Sequence, residues 1–127
     1  MDAYKTHGAF SWSELMTSDP AAATEFYGGL FGWTSKDVDM GTGPYHVVNV
    51  GETAVGGVMG MPPGAPPMPP HWGVYITVDN VDETLAKAVS LGGKVSVPAM
   101  DVPGVGRMAG LQDPQGAHFM VMTYSTP

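Results

Sequence analysis

The sequence predicts an α+β fold: two βαβββ modules forming a cupped mixed sheet, with the helices outside. Three observations carry that prediction. Residues 10–33, FSWSELMTSDPAAATEFYGGLFGW, read as a strand, a capped turn and a helix. Residues 73–94, GVYITVDNVDETLAKAVSLGGK, have the same build. Each stretch is followed by strand-length segments separated by glycine- and proline-rich turns, and PPGAPPMPP at 62–70 joins the halves. A single domain of 127 residues is expected, with module one over 8–61, a linker over 62–70 and module two over 71–125.

In chain order, the first strand is expected over residues 9–16, apolar at Phe10, Trp12, Leu15 and Met16. Asp19 is a good N-cap residue, and Pro20 suits the first helical position, where its missing N–H costs nothing. The helix carries Phe26, Tyr27, Leu30 and Phe31 and stops near Gly32. Strands follow at 34–40, 45–50 and 54–61, with turns at 41–44 (GTGP) and at Gly51-Glu52. Glycines inside the last of these strands mark a bulge or a close approach by a ligand. The proline-rich segment reads as an extended connector rather than a proline-motif ligand.

The second module repeats the order. A strand over 71–78 leads to a helix over 81–91, capped by Asn80 or Asp79, with Val81, Leu85, Ala88 and Val89 on one face. Gly92-Gly93 ends the helix. Strands at 94–99, 105–111 and 117–123 are separated by a Pro103-Gly104 turn and by DPQG at 113–116. Right-handed crossovers put each helix on one face of its sheet. The opposite faces are then free to line a cleft.

Composition excludes several functions. The net charge is −7 with only five Lys and Arg, too few cations to build a surface for nucleic acid or an anionic membrane. The absence of cysteine removes disulfides and thiolate chemistry. MDAYKTHGAF lacks the apolar core of a signal peptide, and no apolar run approaches the ~20 residues that span a bilayer. A cytoplasmic protein is expected. Ten methionines suit an adaptable, polarisable cavity wall.

The pieces SDPAAATEFYGGLFGW, VYITVDNVDETLAKAVSLGGKV and DVPGVGRMAGLQDPQGAHFMV together resemble the vicinal oxygen chelate superfamily, also called the glyoxalase/bleomycin resistance/dioxygenase family. The resemblance covers nearly the whole chain. It implies paired βαβββ modules, a site inside a cup and a homodimer. It also implies a divalent metal held by His, Glu or Gln from the first and last strands of both modules. Carried onto this chain, those positions fall on Trp12, Gly56 or Gly57, Gly73 and Met120. None supplies a donor for a hard or borderline divalent ion. The expectation is therefore a site with no metal and no cofactor.

The candidates for chemistry follow from strand parity. Trp12 and Glu14 share one face. Trp12 is a stacking platform for a planar ligand or ordinary core. Glu14, among apolar neighbours, is a general base if it points inward, and a solvated residue if the alternation slips. His118, Met120 and Met122 share a face, with His118 as acid/base or as a rim residue. Tyr75 has the parity of Gly73 and offers a phenolic hydrogen bond. Gly57 and Gly73 enlarge the cavity where relatives place metal ligands. Arg107 binds an anionic group of a ligand or pairs with Asp101. His46 and His7 read as surface residues. The leading expectation is a metal-free cup that binds a small hydrophobic or aromatic molecule, with proton transfer by Glu14. The alternatives are a metal-dependent lyase, isomerase or dioxygenase with ligands displaced to His71, His118 and Glu14, or a non-catalytic dimeric scaffold.

Overall fold

The computed structural model describes residues 1–39, 44–61 and 68–125. Residues 41–43 of the expected GTGP turn and 62–67 of the expected linker lie outside the described residues. The element order is β1 (Phe10–Thr17), α1 (Pro20–Phe31), β2 (Thr34–Asp39), β3 (Pro44–Val50), β4 (Thr53–Gly60), β5 (His71–Thr77), α2 (Val81–Ser90), β6 (Lys94–Val102), β7 (Gly106–Gln112) and β8 (His118–Tyr124). The α+β class and the twice-repeated βαβββ order are borne out. Among the described residues no helix is long and apolar enough to cross a membrane.

The described chain forms two compact units, Trp12–Gly73 and Met1–Ser11 with Val74–Pro127. In the first unit the strands run in the order β2-β3-β4-β1. β1 lies parallel to β4, while β3 lies between β2 and β4 and is antiparallel to both. In the second unit the order is β5-β8-β7-β6, again with one parallel pair, β5 with β8. This mixed pairing is the geometry that a strand–helix–strand crossover followed by hairpins produces.

Local chemistry fixes the helix ends. The Asp19 side chain accepts the Ala22 N–H at 3.1 Å, and the Asn80 side chain accepts the Glu83 N–H at 3.0 Å. Gly32 takes φ 75° at the end of α1 and donates its N–H to the Gly28 carbonyl, a left-handed cap that favours glycine.

Each helix covers one sheet face. In the first unit Leu15, Val48 and Val58 form the buried cluster, with Ala23 and Tyr27 of α1 and Trp33 against it. In the second, Val78, Val81, Ala109, Leu111 and Val121 do the same, with Leu85 and Ala88 of α2 packed on them. One helix-face expectation differs. Val89 is 57% exposed, so the α2 stripe is narrower than the sequence implied. No residue of α1 is buried, and Phe26, Leu30 and Phe31 face solvent, because apolar residues run around this helix rather than along one stripe.

Candidate functional site

The helix-free face of each sheet follows from register and the two-residue period of a strand. In the first unit, Leu15 and Val58 point to α1, so Trp12, Glu14 and Met16 point the other way. Glu14 sits opposite Gly57, and Gly57 sits opposite Val47. Tyr45, one pair along on β3, faces Met59.

These residues make a hydrogen-bonded group. The Trp12 indole Nε1–H donates to the Tyr45 hydroxyl at 2.9 Å. The Tyr45 hydroxyl donates to Glu14 Oε2 at 2.7 Å. Glu14 is only 7% exposed. A carboxylate taken out of water this far needs hydrogen-bond partners, and the phenol is one of them. The ring lies over Gly57: a Cβ built there would overlap the Tyr45 hydroxyl oxygen and ring. A glycine at 57 is thus required for Tyr45 to reach Glu14. Gly73 has the same unit's Glu14 carbonyl oxygen 3.9 Å from where its Cβ would be, an ordinary contact distance.

Tyr45 was not among the sequence candidates. It lies 31 residues from Glu14, and only the β1-β4-β3 register brings them together. The faint signal was the pair of glycines in β4, which says that something large approaches the strand.

The second unit carries the other candidates. Tyr75 pairs with Met120, and Met120 with Gly110. Met122 pairs with Met108, and Met108 with Met100. Since Val121, Ala109 and Leu111 pack on α2, these methionines and Tyr75 share the helix-free face. Tyr75 and Met122 are buried there, at 6% and 5% exposure. His118 shares that parity but sits exposed at the start of β8, paired with Gln112.

Arg107 does not join this face. It alternates to the α2 side, where Nε and Nη2 donate to the two Asp82 carboxylate oxygens at 2.9 and 3.0 Å. Nη1 donates to Asp101 at 3.1 Å. The fork-shaped guanidinium matches Asp82 bidentately. Arg107 thus pairs with Asp101, the alternative to a ligand contact that the sequence offered, and also with Asp82 at the N-terminal turn of α2. That hydrogen bond holds the Asp82 carboxyl below its ordinary value and raises Arg107 further above its own. Two histidines are also more engaged than expected. The His46 side chain is 15% exposed with Nδ1 2.6 Å from Asp37. His7 Nδ1 accepts the Asp79 N–H at 3.0 Å.

The donor set can be tested for the divalent metal that the resemblance implied. Trp12 presents an N–H donor already given to Tyr45, Gly56, Gly57 and Gly73 have no side chain, and Met120 offers a soft thioether. Among the described residues no group of three or more His, Cys, Asp and Glu side chains is placed to hold a metal ion. His71, part of the displaced set considered from sequence, has Nδ1 2.9 Å from the Pro69 carbonyl oxygen. The residues at these positions do not fit a hard or borderline divalent ion.

Comparison with known proteins bears on what this group of residues belongs to. CFP32 of Mycobacterium bovis, provisionally named a glyoxylase, is 45% identical over 113 residues, spanning 87% of this chain and 43% of the relative. The anthracycline biosynthesis protein DnrV of Streptomyces peucetius is 37% identical over 127 residues, spanning 90% and 46%. The chain thus spans less than half the length of these curated relatives. Methylmalonyl-CoA epimerase from Mycobacterium tuberculosis shares the fold, with a TM-score of 0.68 at 15% identity over 94% of this chain and 89% of that one. Residues 9–121 match a family model, and in keeping with its twice-repeated βαβββ order the chain belongs to the Glyoxalase/Bleomycin resistance protein/Dioxygenase superfamily.

Proposed function

We propose that this chain binds a small hydrophobic or aromatic molecule beside Trp12, without a metal, and that Glu14 exchanges a proton with it. The observation that carries the reading is the buried Glu14 carboxylate, hydrogen-bonded by Tyr45 and flanked by the Trp12 indole. A carboxylate in apolar surroundings is a stronger base than one in water, and an indole gives a planar apolar contact. In the step, the carboxylate takes a proton from an acidic C–H of the ligand. The C–H electron pair delocalises onto an adjacent carbonyl, and the same carboxyl group returns a proton to the carbanion. Similarity to proteins named for anthracycline biosynthesis supports a planar, polycyclic, carbonyl-bearing ligand class.

The test has two arms. Thermal shift against a panel of aromatic polyketide-like ketones reads binding: a ligand at a hundred times its Kd adds about 2.7 kcal/mol. NMR in D2O then reads whether the acidic C–H of each binder exchanges. Exchange with the native chain and its loss in Glu14→Gln support the proposal. A panel without a single shift favours a scaffold, and undiminished exchange in Glu14→Gln removes Glu14 from the chemistry. The proposal includes a homodimer, in which the exposed Phe26, Leu30 and Phe31 would be covered by a second copy. Light scattering that gives the monomer mass at micromolar concentration would refute it.

A further inference from the structure

We infer that Tyr45 is the positioning residue of this site: it fixes the Glu14 carboxylate and couples it to the Trp12 indole, and Gly57 is the vacancy that admits it. The inference deepens the proposed function and rests on Glu14 being its proton carrier.

The argument is one of donors and acceptors. An indole N–H can only donate, so at 2.9 Å it occupies a lone pair of the Tyr45 oxygen. The single phenolic proton is then directed to Glu14 Oε2, at 2.7 Å. A hydrogen bond to a carboxylate is short and about twice as strong as a neutral one. It favours the charged, proton-accepting form against the burial that opposes it. Trp12 thereby acts on Glu14 at second hand. A ligand stacked on the indole that turns the ring would loosen the phenol, and the carboxylate would register its arrival.

The geometry that permits this is specific. Tyr45 reaches across from β3, and its ring occupies the space above Gly57, the residue directly opposite Glu14. Any side chain at 57 takes that place. Tyr45 is half-buried and on a regular strand, so its direction is set by the sheet rather than by a loop.

The first test is Tyr45→Phe, which keeps the ring and its packing and removes only the hydroxyl. Carbon-13 NMR of the Glu14 side-chain carboxyl, followed against pH, should show its titration moving upward by about one pH unit or more, the equivalent of losing one hydrogen bond to a charged group. The Trp12 indole N–H resonance should move upfield in the same variant. A purely structural role for Tyr45 moves neither signal once the fold is intact by circular dichroism. The second test is Gly57→Ala, which leaves the phenol in the chain but fills its place, and it should reproduce both shifts. A Glu14 titration in Tyr45→Phe within about 0.2 pH unit of native overturns the inference. The two claims separate. If Glu14→Gln keeps proton exchange while Tyr45→Phe moves the carboxyl titration, the proposed function fails and the positioning role stands. If Glu14→Gln abolishes exchange while Tyr45→Phe moves nothing, the reverse holds.

Discussion

Gly57→Ala is the sharpest probe of the site because one methyl group decides it. The added Cβ overlaps the Tyr45 hydroxyl and ring, and Gly57 is itself buried. The ring must leave, because overlap with a ring cannot be relieved by bond-angle strain alone. Overpacking of this kind costs about 1–3 kcal/mol. Displacing the phenol also breaks its bonds to Trp12 and Glu14, and leaving a buried carboxylate short of a donor costs about 1–3 kcal/mol. The expected loss is about 2–6 kcal/mol, near 4 °C in Tm per kcal/mol for a chain of this length. The assay is a double-mutant cycle by urea denaturation with Tyr45→Ala. With the ring gone, the methyl group enters space already emptied, and Gly57→Ala should cost less than about 1 kcal/mol. A coupling of about 1.5 kcal/mol or more between the two positions is expected. If Gly57→Ala costs the same with and without the Tyr45 ring, the clash is elsewhere and the reasoning fails. Gly29→Ala is the control: it is helical with nothing within 4 Å of the new Cβ, and should stabilise by about 0.5–1 kcal/mol.

Further outcomes follow from the same structure. Leu111→Ala, at 1% exposure, should cost about 2–5 kcal/mol by urea denaturation, while Leu30→Ala, at 59%, should stay within about 0.5 kcal/mol unless a second copy covers it. Arg107→Ala should change the acid limb of stability. The folded Asp82 carboxyl is held below its ordinary value of 3.8, so its ion pair stabilises above that range and is lost as pH falls through it. Urea midpoints of native and Arg107→Ala chains should differ at pH 7 and converge near pH 2; a constant difference would place the effect in packing instead. Elemental analysis of protein purified without chelator should find no stoichiometric divalent metal, and EDTA should leave Tm unchanged; one bound metal per chain would refute the donor-set argument.

What was legible in the sequence was whatever depends on near neighbours. The caps at Asp19 and Asn80, the glycine stop at Gly32 and the hairpin at Gly51, with φ 59°, are local chemistry, and all are where the sequence placed them. The shared face of Trp12 and Glu14 is likewise one strand's parity. Parity between strands is different, because it depends on the length of the turn that joins them. Met120 pairs with Gly110, which puts Arg107 opposite Thr123 and on the α2 side. The sequence alone does not fix that register: the pair of Arg107 with Asp101 was legible as one of two alternatives, whereas its bidentate pair with Asp82 of α2 was not. Tyr45 was missed on the same ground: its partner is two strands away, across the antiparallel β3-β4 pairing and then the parallel β4-β1 pairing.

The two modules share a topology without sharing an inventory, and register makes the comparison residue by residue. Glu14 on β1 pairs with Gly57, which pairs with Val47, and Tyr45 faces Met59. At the corresponding places Tyr75 on β5 pairs with Met120, which pairs with Gly110, and Met108 faces Met122. Where the first module has a carboxylate opposite a glycine, with a phenol in the gap, the second has a phenol opposite a methionine that fills its own gap. The first arrangement can hold and move a proton. The second presents thioethers, which adapt to apolar shapes and exchange no proton near neutral pH. Repeating the βαβββ order therefore repeats the scaffold, and the proposed proton transfer belongs to the first module alone. That assignment is open to a direct swap. Glu14→Gln should abolish proton exchange by a bound ligand, whereas Tyr75→Phe, at the matching position of the second module, should leave the exchange rate within about twofold, an effect of under about 0.5 kcal/mol. Loss of exchange in Tyr75→Phe with the fold intact would show that the chemistry is divided between the modules.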